Sequence, residues 1–173
     1  FVARGVPVAV IDTPSDVRSM VDGFRRSARH IDDVAAVADD LKKQFPSSRL
    51  FLIGTSRGTV SAAYAGAALA SRLAGVVLTS SVFNATQGGS GLAGFDFASI
   101  KAPLLLVHHA DDHCVATPYF VARKLAEHYP LITVHGGKPA QSEACEAFAP
   151  HGYFGQEEAT VDAMVNWMQG RSY

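Results

Sequence analysis

The sequence predicts an α/β fold, a mostly parallel sheet with helices on both faces. Three observations carry that expectation. Short, continuously apolar runs rich in Val, Ile and Leu recur along the chain, as strands buried on both faces require. Amphipathic stretches of helical length alternate with them. At 173 residues the chain has enough polymer for one core and too little for two ordinary ones, so 1–173 is read as a single domain.

Residues 6–11 (VPVAVI) read as the first strand, ending at Asp12. A helix is expected over 32–45, where Ile31, Val34, Ala38, Leu41 and Phe45 share one face. Acids stand in its first turn, Lys42 and Lys43 in its last, and Pro46 stops it. Residues 50–53 (LFLI) are the second strand, and 54–58 turn the chain into an alanine-rich helix running to about Arg72. The third strand is 76–79 (VVLT), followed by a Gly-rich loop over 83–99 whose glycines at 87–94 predict mobility. The fourth is 104–107 (LLLV). Thr117 and Pro118 then read as N-cap and first-turn residue of a helix ending at Tyr129, and Pro130 separates it from a fifth strand over 131–134. The last helix spans about 156–168, with Val161, Met164, Val165 and Met168 as its apolar stripe, Glu157 and Glu158 at its start and Gly170 past its end.

Composition excludes several classes. Hydrophobic residues make up 48% of the chain and the net charge is −1, which argues against disorder and against an electrostatic nucleic-acid footprint. No apolar run approaches the roughly 20 residues of a membrane-spanning helix, and the first residues do not show the layout of a signal peptide. Two cysteines, Cys114 and Cys145, are too few for a disulfide scaffold and lack zinc-finger spacing. Neither a metal nor another cofactor is called for.

In parallel sheets, ligands bind at the carboxyl ends of the strands, where loops and helix N-termini converge. One such loop, Gly54-Thr55-Ser56-Arg57-Gly58, matches G-x-S-x-G between an expected strand and an expected helix. An abrupt strand-to-helix turn strains its central residue and crowds the backbone, which calls for glycine two positions to either side. The Ser56 hydroxyl then projects from the tip as a candidate nucleophile, and the backbone N–H of Arg57 faces a developing oxyanion. The bland reading is a glycine-rich turn with a capping serine. The succession of strand, motif and helix speaks against it.

A serine nucleophile needs a base, and the base needs a carboxylate. The stretch 108–115 (HHADDHCV) follows the fourth strand, so Asp111 or Asp112 lies beside the serine loop. A metal site built from His108, His109, Asp111, His113 and Cys114 is the competing reading, weakened because adjacent ligands on a short loop cannot all converge. For the base there are seven histidines: His30, His108, His109, His113, His128, His135 and His151. His128 reads as a helix-surface residue and His135 as a strand end. Only His151 lies between the last strand and the last helix with a glycine beside it, in Pro150-His151-Gly152-Tyr153.

These residues together resemble the α/β-hydrolase superfamily over essentially the whole chain from Val6 onward. The family's acid loop commonly reads H-G-x-x-D-x-x-V-P. Laid on residues 108–116, it implies Asp112 as the acid, Asp111 as a neighbour and Val115 as the matching apolar residue. His109 replaces the usual glycine and Ala116 the usual proline. The P-H-G-Y segment is similar to the family's histidine loop. The resemblance further implies eight strands, of which the five expected here match the fourth to eighth. The third, and the oxyanion donor after it, would then lie outside these residues. The chain is therefore expected to be N-terminally incomplete, with a preceding segment or a second chain completing the sheet.

The resemblance implies a carboxylesterase-like reaction, acyl transfer from a small-molecule ester to water through a Ser56–His151–Asp112 triad. The loop over 82–100 is too short for a long helical lid, so an open site is expected. Arg25, Arg26 and Arg29 read as the solvated start of a helix before they read as an anion site. A non-catalytic binding module on the same scaffold is the alternative. A dehalogenase or peroxide-forming relative is disfavoured by the absence of an aspartate nucleophile. Cys114 and Cys145 fall on loops that the triad itself makes neighbours, which predicts a disulfide between them and suits an exported protein, periplasmic or secreted, better than a cytoplasmic one.

Overall fold

The computed structural model describes residues 1–173. Four parallel strands form one sheet in sequential order: β1 (Phe51–Thr55), β2 (Gly75–Thr79), β3 (Leu104–His109) and β4 (Leu131–Val134). Five α-helices accompany them: α1 (Asp22–Arg25), α2 (Ala28–Gln44), α3 (Gly58–Ala68), α4 (Tyr119–Leu125) and α5 (Glu157–Met168). Every residue of β2 and β3 is buried, as expected for central strands covered on both faces.

Successive strand residues point to opposite faces, and the core divides accordingly. Val76, Leu78, Leu104 and Leu106 pack with Val60, Ala62 and Ala63 of α3 and Ala122 of α4. Val77, Leu105 and Val107 face the other way, against Val134, Tyr153 and Met164 of α5. Helix α2 covers α3 from outside, joining Val34 to Ala65 and Leu69. Each fully buried Leu or Val contributes roughly 1.5–3 kcal/mol of transfer free energy. The central strands therefore form a rigid platform for the loops at their carboxyl ends.

Two expectations are corrected by the fold. Residues 6–11 form no strand, and Val8 and Val10 are 51% and 88% exposed. An apolar run becomes a strand only with a hydrogen-bonding neighbour, and this run has none. Pro7, Val8 and Ala9 instead line an apolar groove with Ala36, Val37, Leu41 and Phe45. The strands thus correspond to the fifth through eighth of the resembled fold, not the fourth through eighth. The second correction concerns Thr117, which does not cap α4. Pro118 occupies that position, and the helix is shorter than expected, stopping at Leu125.

Helix α2 also begins earlier than its periodicity indicated. Ser27 caps it by accepting the His30 N–H, a local signal that pulls the start back to Ala28. The loop at 87–94 is tied down: Thr86 and Gly89 exchange backbone hydrogen bonds, and the Gly91 N–H donates to Asp22.

Candidate active site

The turn after β1 has the geometry that its sequence requires. Ser56 adopts φ 49°, in the left-handed region that costs a non-glycine residue energy. A Cβ on Gly54 would lie 2.5 Å from the Gly58 carbonyl oxygen and 2.7 Å from the Ala62 Cβ, so nothing larger than glycine fits. At Gly58 the expectation is corrected, because a Cβ there would meet open space. The crowding is one-sided: Gly54 must admit the backbone of Gly58. The Ser56 N–H is anchored on the Thr79 carbonyl at 2.9 Å, and the Arg57 N–H has no acceptor within the chain.

His151 and Asp112 converge on this turn. The Ser56 hydroxyl lies 2.9 Å from His151 Nε2, and His151 Nδ1 lies 3.0 Å from Asp112 Oδ2. Because an ionised carboxylate can only accept, Nδ1 carries the proton and Nε2 is free to accept from Ser56. The Asp112 carboxylate takes two more hydrogen bonds, from the Cys114 N–H at 2.9 Å and from the Thr117 hydroxyl at 2.7 Å. Burial pushes this carboxyl up, but the hydrogen bonds from His151, Cys114 and Thr117 outweigh it and hold the group below the ordinary carboxylate range. Asp111 is exposed and contributes only its backbone N–H, to His109 Nδ1.

The remaining candidates have other partners. His108 is fully buried, stacks on Phe83 and accepts the Ser81 N–H at Nε2. Burial lowers its pKa to about 4, so it stays neutral. His109 donates from Nε2 to the Gly136 carbonyl at 2.8 Å. Cys114 is bonded to Cys145, with their Cα atoms 4.7 Å apart. The metal reading of 108–114 therefore loses its sulfur ligand to a disulfide and a histidine to a backbone carbonyl. His30 is buried against Phe24, while His113, His128 and His135 are exposed. Val115 is 82% exposed and fills no core position.

Three site residues escaped the sequence reading. Thr117 serves Asp112 through its hydroxyl. Ser80 and Tyr153 bond to each other beneath His151, and only the tyrosine stood in a motif already singled out. Arg57 also does more than lend its backbone. Its guanidinium reaches the fully buried Asp22 at 2.8 Å and Thr86 at 2.5 Å, clamping the glycine loop to the turn. A Cβ on Gly88 would collide with that guanidinium. Arg25 is not a solvated residue either. It donates to the Met20 carbonyl and the Ser61 hydroxyl, and burial and the Arg57 charge lower its pKa.

A four-stranded parallel sheet with a strained serine at a strand-to-helix turn is the arrangement of the α/β-hydrolase fold. The fold is that of the α/β hydrolases. The profile of the S33 serine aminopeptidase family matches residues 15–95. Among solved structures, the chain is similar to Est1E from Butyrivibrio proteoclasticus, at 17% identity and a TM-score of 0.58, covering 81% of this chain and 68% of that one. It is similar also to XC6422 from Xanthomonas campestris, described as an α/β serine hydrolase without a lid. The identity is 18%, the TM-score 0.56, and the coverage 89% of this chain and 63% of that one. A third is a pyrethroid hydrolase from Sphingobium faniae, with 15% identity and a TM-score of 0.56, covering 96% and 88%. This chain thus spans less than two thirds of the length of the Xanthomonas protein. No curated protein matches it significantly.

Proposed function

We propose that Ser56, His151 and Asp112 are a catalytic triad and that the reaction is hydrolysis of a carboxylic ester through an acyl-enzyme. The observation that carries this is the unbroken path from Asp112 Oδ2 through His151 to the Ser56 hydroxyl, at 3.0 and 2.9 Å. As Ser56 Oγ attacks the ester carbonyl, its proton passes to His151 Nε2. Asp112 stabilises the imidazolium. The Arg57 N–H, unengaged at the start of α3, supports the developing oxyanion. His151 then gives the proton to the departing alkoxide, leaving the acyl group on Ser56. Water enters, loses a proton to His151 and attacks the acyl carbon, and Ser56 leaves with that proton.

Esters fit better than peptides as the substrate class. An aminopeptidase must hold its substrate's ammonium group with a carboxylate. Asp22, the acid linked to this turn, is fully buried and already neutralised by Arg57. The likeness to a pyrethroid hydrolase and to a serine hydrolase lacking a lid points the same way, towards small substrates and an open site.

The test is covalent labelling of the purified protein with a fluorophosphonate, alongside hydrolysis of p-nitrophenyl esters. Labelling and turnover are expected in the native protein and absent in Ser56→Ala. Labelling that persists unchanged in Ser56→Ala would remove the nucleophile assignment. A native protein that neither labels nor turns over would favour the non-catalytic module.

A further inference from the structure

We propose that Ser80 and Tyr153 are positioning residues that hold the main chain of His151 in register with Ser56, an inference resting on the proposed triad. It starts from backbone strain. Only three non-glycine residues in the chain have positive φ: Ser56 at 49°, Ser80 at 45° and Tyr153 at 62°. Left-handed non-glycine residues persist where the surrounding structure over-determines them, and they cluster at functional sites. The first is the proposed nucleophile. The other two meet each other.

Ser80 is the first residue after β2 and is fully buried. Its Oγ lies 2.7 Å from the His151 carbonyl oxygen and 2.9 Å from the Tyr153 hydroxyl, which is itself 2.8 Å from the Val107 carbonyl. Two hydroxyl protons are thus available for three contacts, and counting acceptors decides where they go. The Val107 carbonyl already receives the Ser80 N–H at 3.0 Å. The His151 carbonyl has no donor except Ser80 Oγ, and leaving a buried carbonyl without one is costly. The Ser80 proton therefore belongs to His151. Burial pushes the Tyr153 phenol well above its ordinary range, so it remains a neutral donor supporting Ser80 or Val107.

His151 needs this support because of where it lies. It occupies the one-turn 3₁₀ segment Pro150–Gly152, outside any strand ladder or α-helix. Its own N–H finds no acceptor in the chain, so the Ser80 hydroxyl makes the single hydrogen bond to its main chain. Asp112 fixes the ring, and Ser80 fixes the backbone that carries the ring. The Tyr153 ring packs among Val77, Leu105, Val107, Val134 and Met164, which ties the arrangement to the rigid centre of the sheet.

Misplacement of a reacting group by about 1 Å costs on the order of 100-fold in rate, so Ser80→Ala is expected to lower kcat about 10- to 100-fold with little change in KM. Tyr153→Phe, which keeps the packed ring, is expected to show a smaller fall of about threefold to tenfold on the same scale. It serves as the test should Ser80→Ala fail to fold. Fluorophosphonate labelling rates are expected to fall in parallel with kcat. In an Asp112→Asn background, where the ring is already unheld, Ser80→Ala is expected to cost far less than in the native protein. Turnover that requires Ser56 yet is indifferent to both substitutions, or a full additive loss in the Asp112→Asn background, would overturn this inference alone. Turnover that survives Ser56→Ala would overturn the proposed triad and this inference with it.

Discussion

Removing the cross-link between the two loops that carry the proposed acid and base, with the double variant Cys114→Ala/Cys145→Ala, changes the unfolded chain more than the folded one. The bridge joins residues 31 apart in sequence, with Cα atoms 4.7 Å apart. Closing a loop of that length removes roughly 3.7 kcal/mol of unfolded-state entropy at room temperature on the chain-entropy model. For a chain of 173 residues, that loss corresponds to a fall in Tm of roughly 10 °C. Catalysis at 25 °C is expected to suffer less, because the Cys114 N–H that reaches Asp112 belongs to the backbone and survives the substitution. The assay is guanidinium unfolding of both proteins, with calorimetry beside it and ester turnover measured where both are folded. Cys145 is exposed, so a thiol reductant applied to the native protein should reproduce the result. A stability loss below about 1 kcal/mol would refute the reasoning, since it would mean that the bridge restricts the unfolded chain far less than its loop length demands.

Three further outcomes are expected. Asp112→Asn should lower kcat by about 10³- to 10⁴-fold, whereas Asp111→Asn, at an exposed carboxylate that accepts no hydrogen bond, should stay within about twofold; steady-state kinetics decide, and the reverse ranking would move the acid to Asp111. Stability should fall as pH drops from 6.5 towards 4, because the unfolded chain takes up a proton on His108 that the folded chain refuses. The slope should approach about 1.4 kcal/mol per pH unit, and His108→Gln, which keeps an acceptor for the Ser81 N–H, should flatten it in denaturation curves taken across that range. At lower pH a second loss should follow. The depressed Asp112 pKa stabilises the fold above the unfolded carboxylate value near 3.9, and that contribution disappears as pH falls through the folded value, an effect absent from Asp112→Asn.

The central strands were legible because burial on both faces leaves an unmistakable composition. VVLT and LLLV lie within β2 and β3, and residues 131–134 are β4. The run VPVAVI carries the same composition and forms no strand, since pairing depends on a neighbour elsewhere in the fold, which local composition cannot report. The turn around Ser56 was legible because a strand–turn–helix junction imposes its sequence locally. Thr117 was misassigned for a related reason. A threonine before proline is a good local cap, but Asp112, five residues earlier, offers its hydroxyl a buried carboxylate, and the charge-assisted bond wins. Ser80 left no local signal at all. Its partners are 71 and 73 residues away, and only the folded sheet brings them together.

The two departures of the acid loop from the family pattern acquire a physical sense in the folded chain. Where glycine is usual, His109 is buried and uses both ring nitrogens. Nδ1 accepts the Asp111 N–H, and Nε2 donates to the Gly136 carbonyl beyond β4. The side chain thus fastens the end of β3 to the segment leaving the next strand, which a glycine could not do. Where proline is usual, Ala116 leaves the backbone less restricted. Beside the Thr117 hydroxyl on Asp112 within the loop, stiffness is supplied from outside it, by the Cys114–Cys145 bond and by the Ala116 carbonyl accepting the N–H groups of Phe83 and Asn84. Local rigidity of the acid loop has been exchanged for links to the loops after β2 and β4. One of those links, the disulfide, ties the acid loop to the segment that leads into His151. The position of Asp112 relative to His151 is therefore set by connections between loops, and changes in the segment 136–149 should be felt at the proposed triad even though none of its residues hydrogen-bonds Ser56.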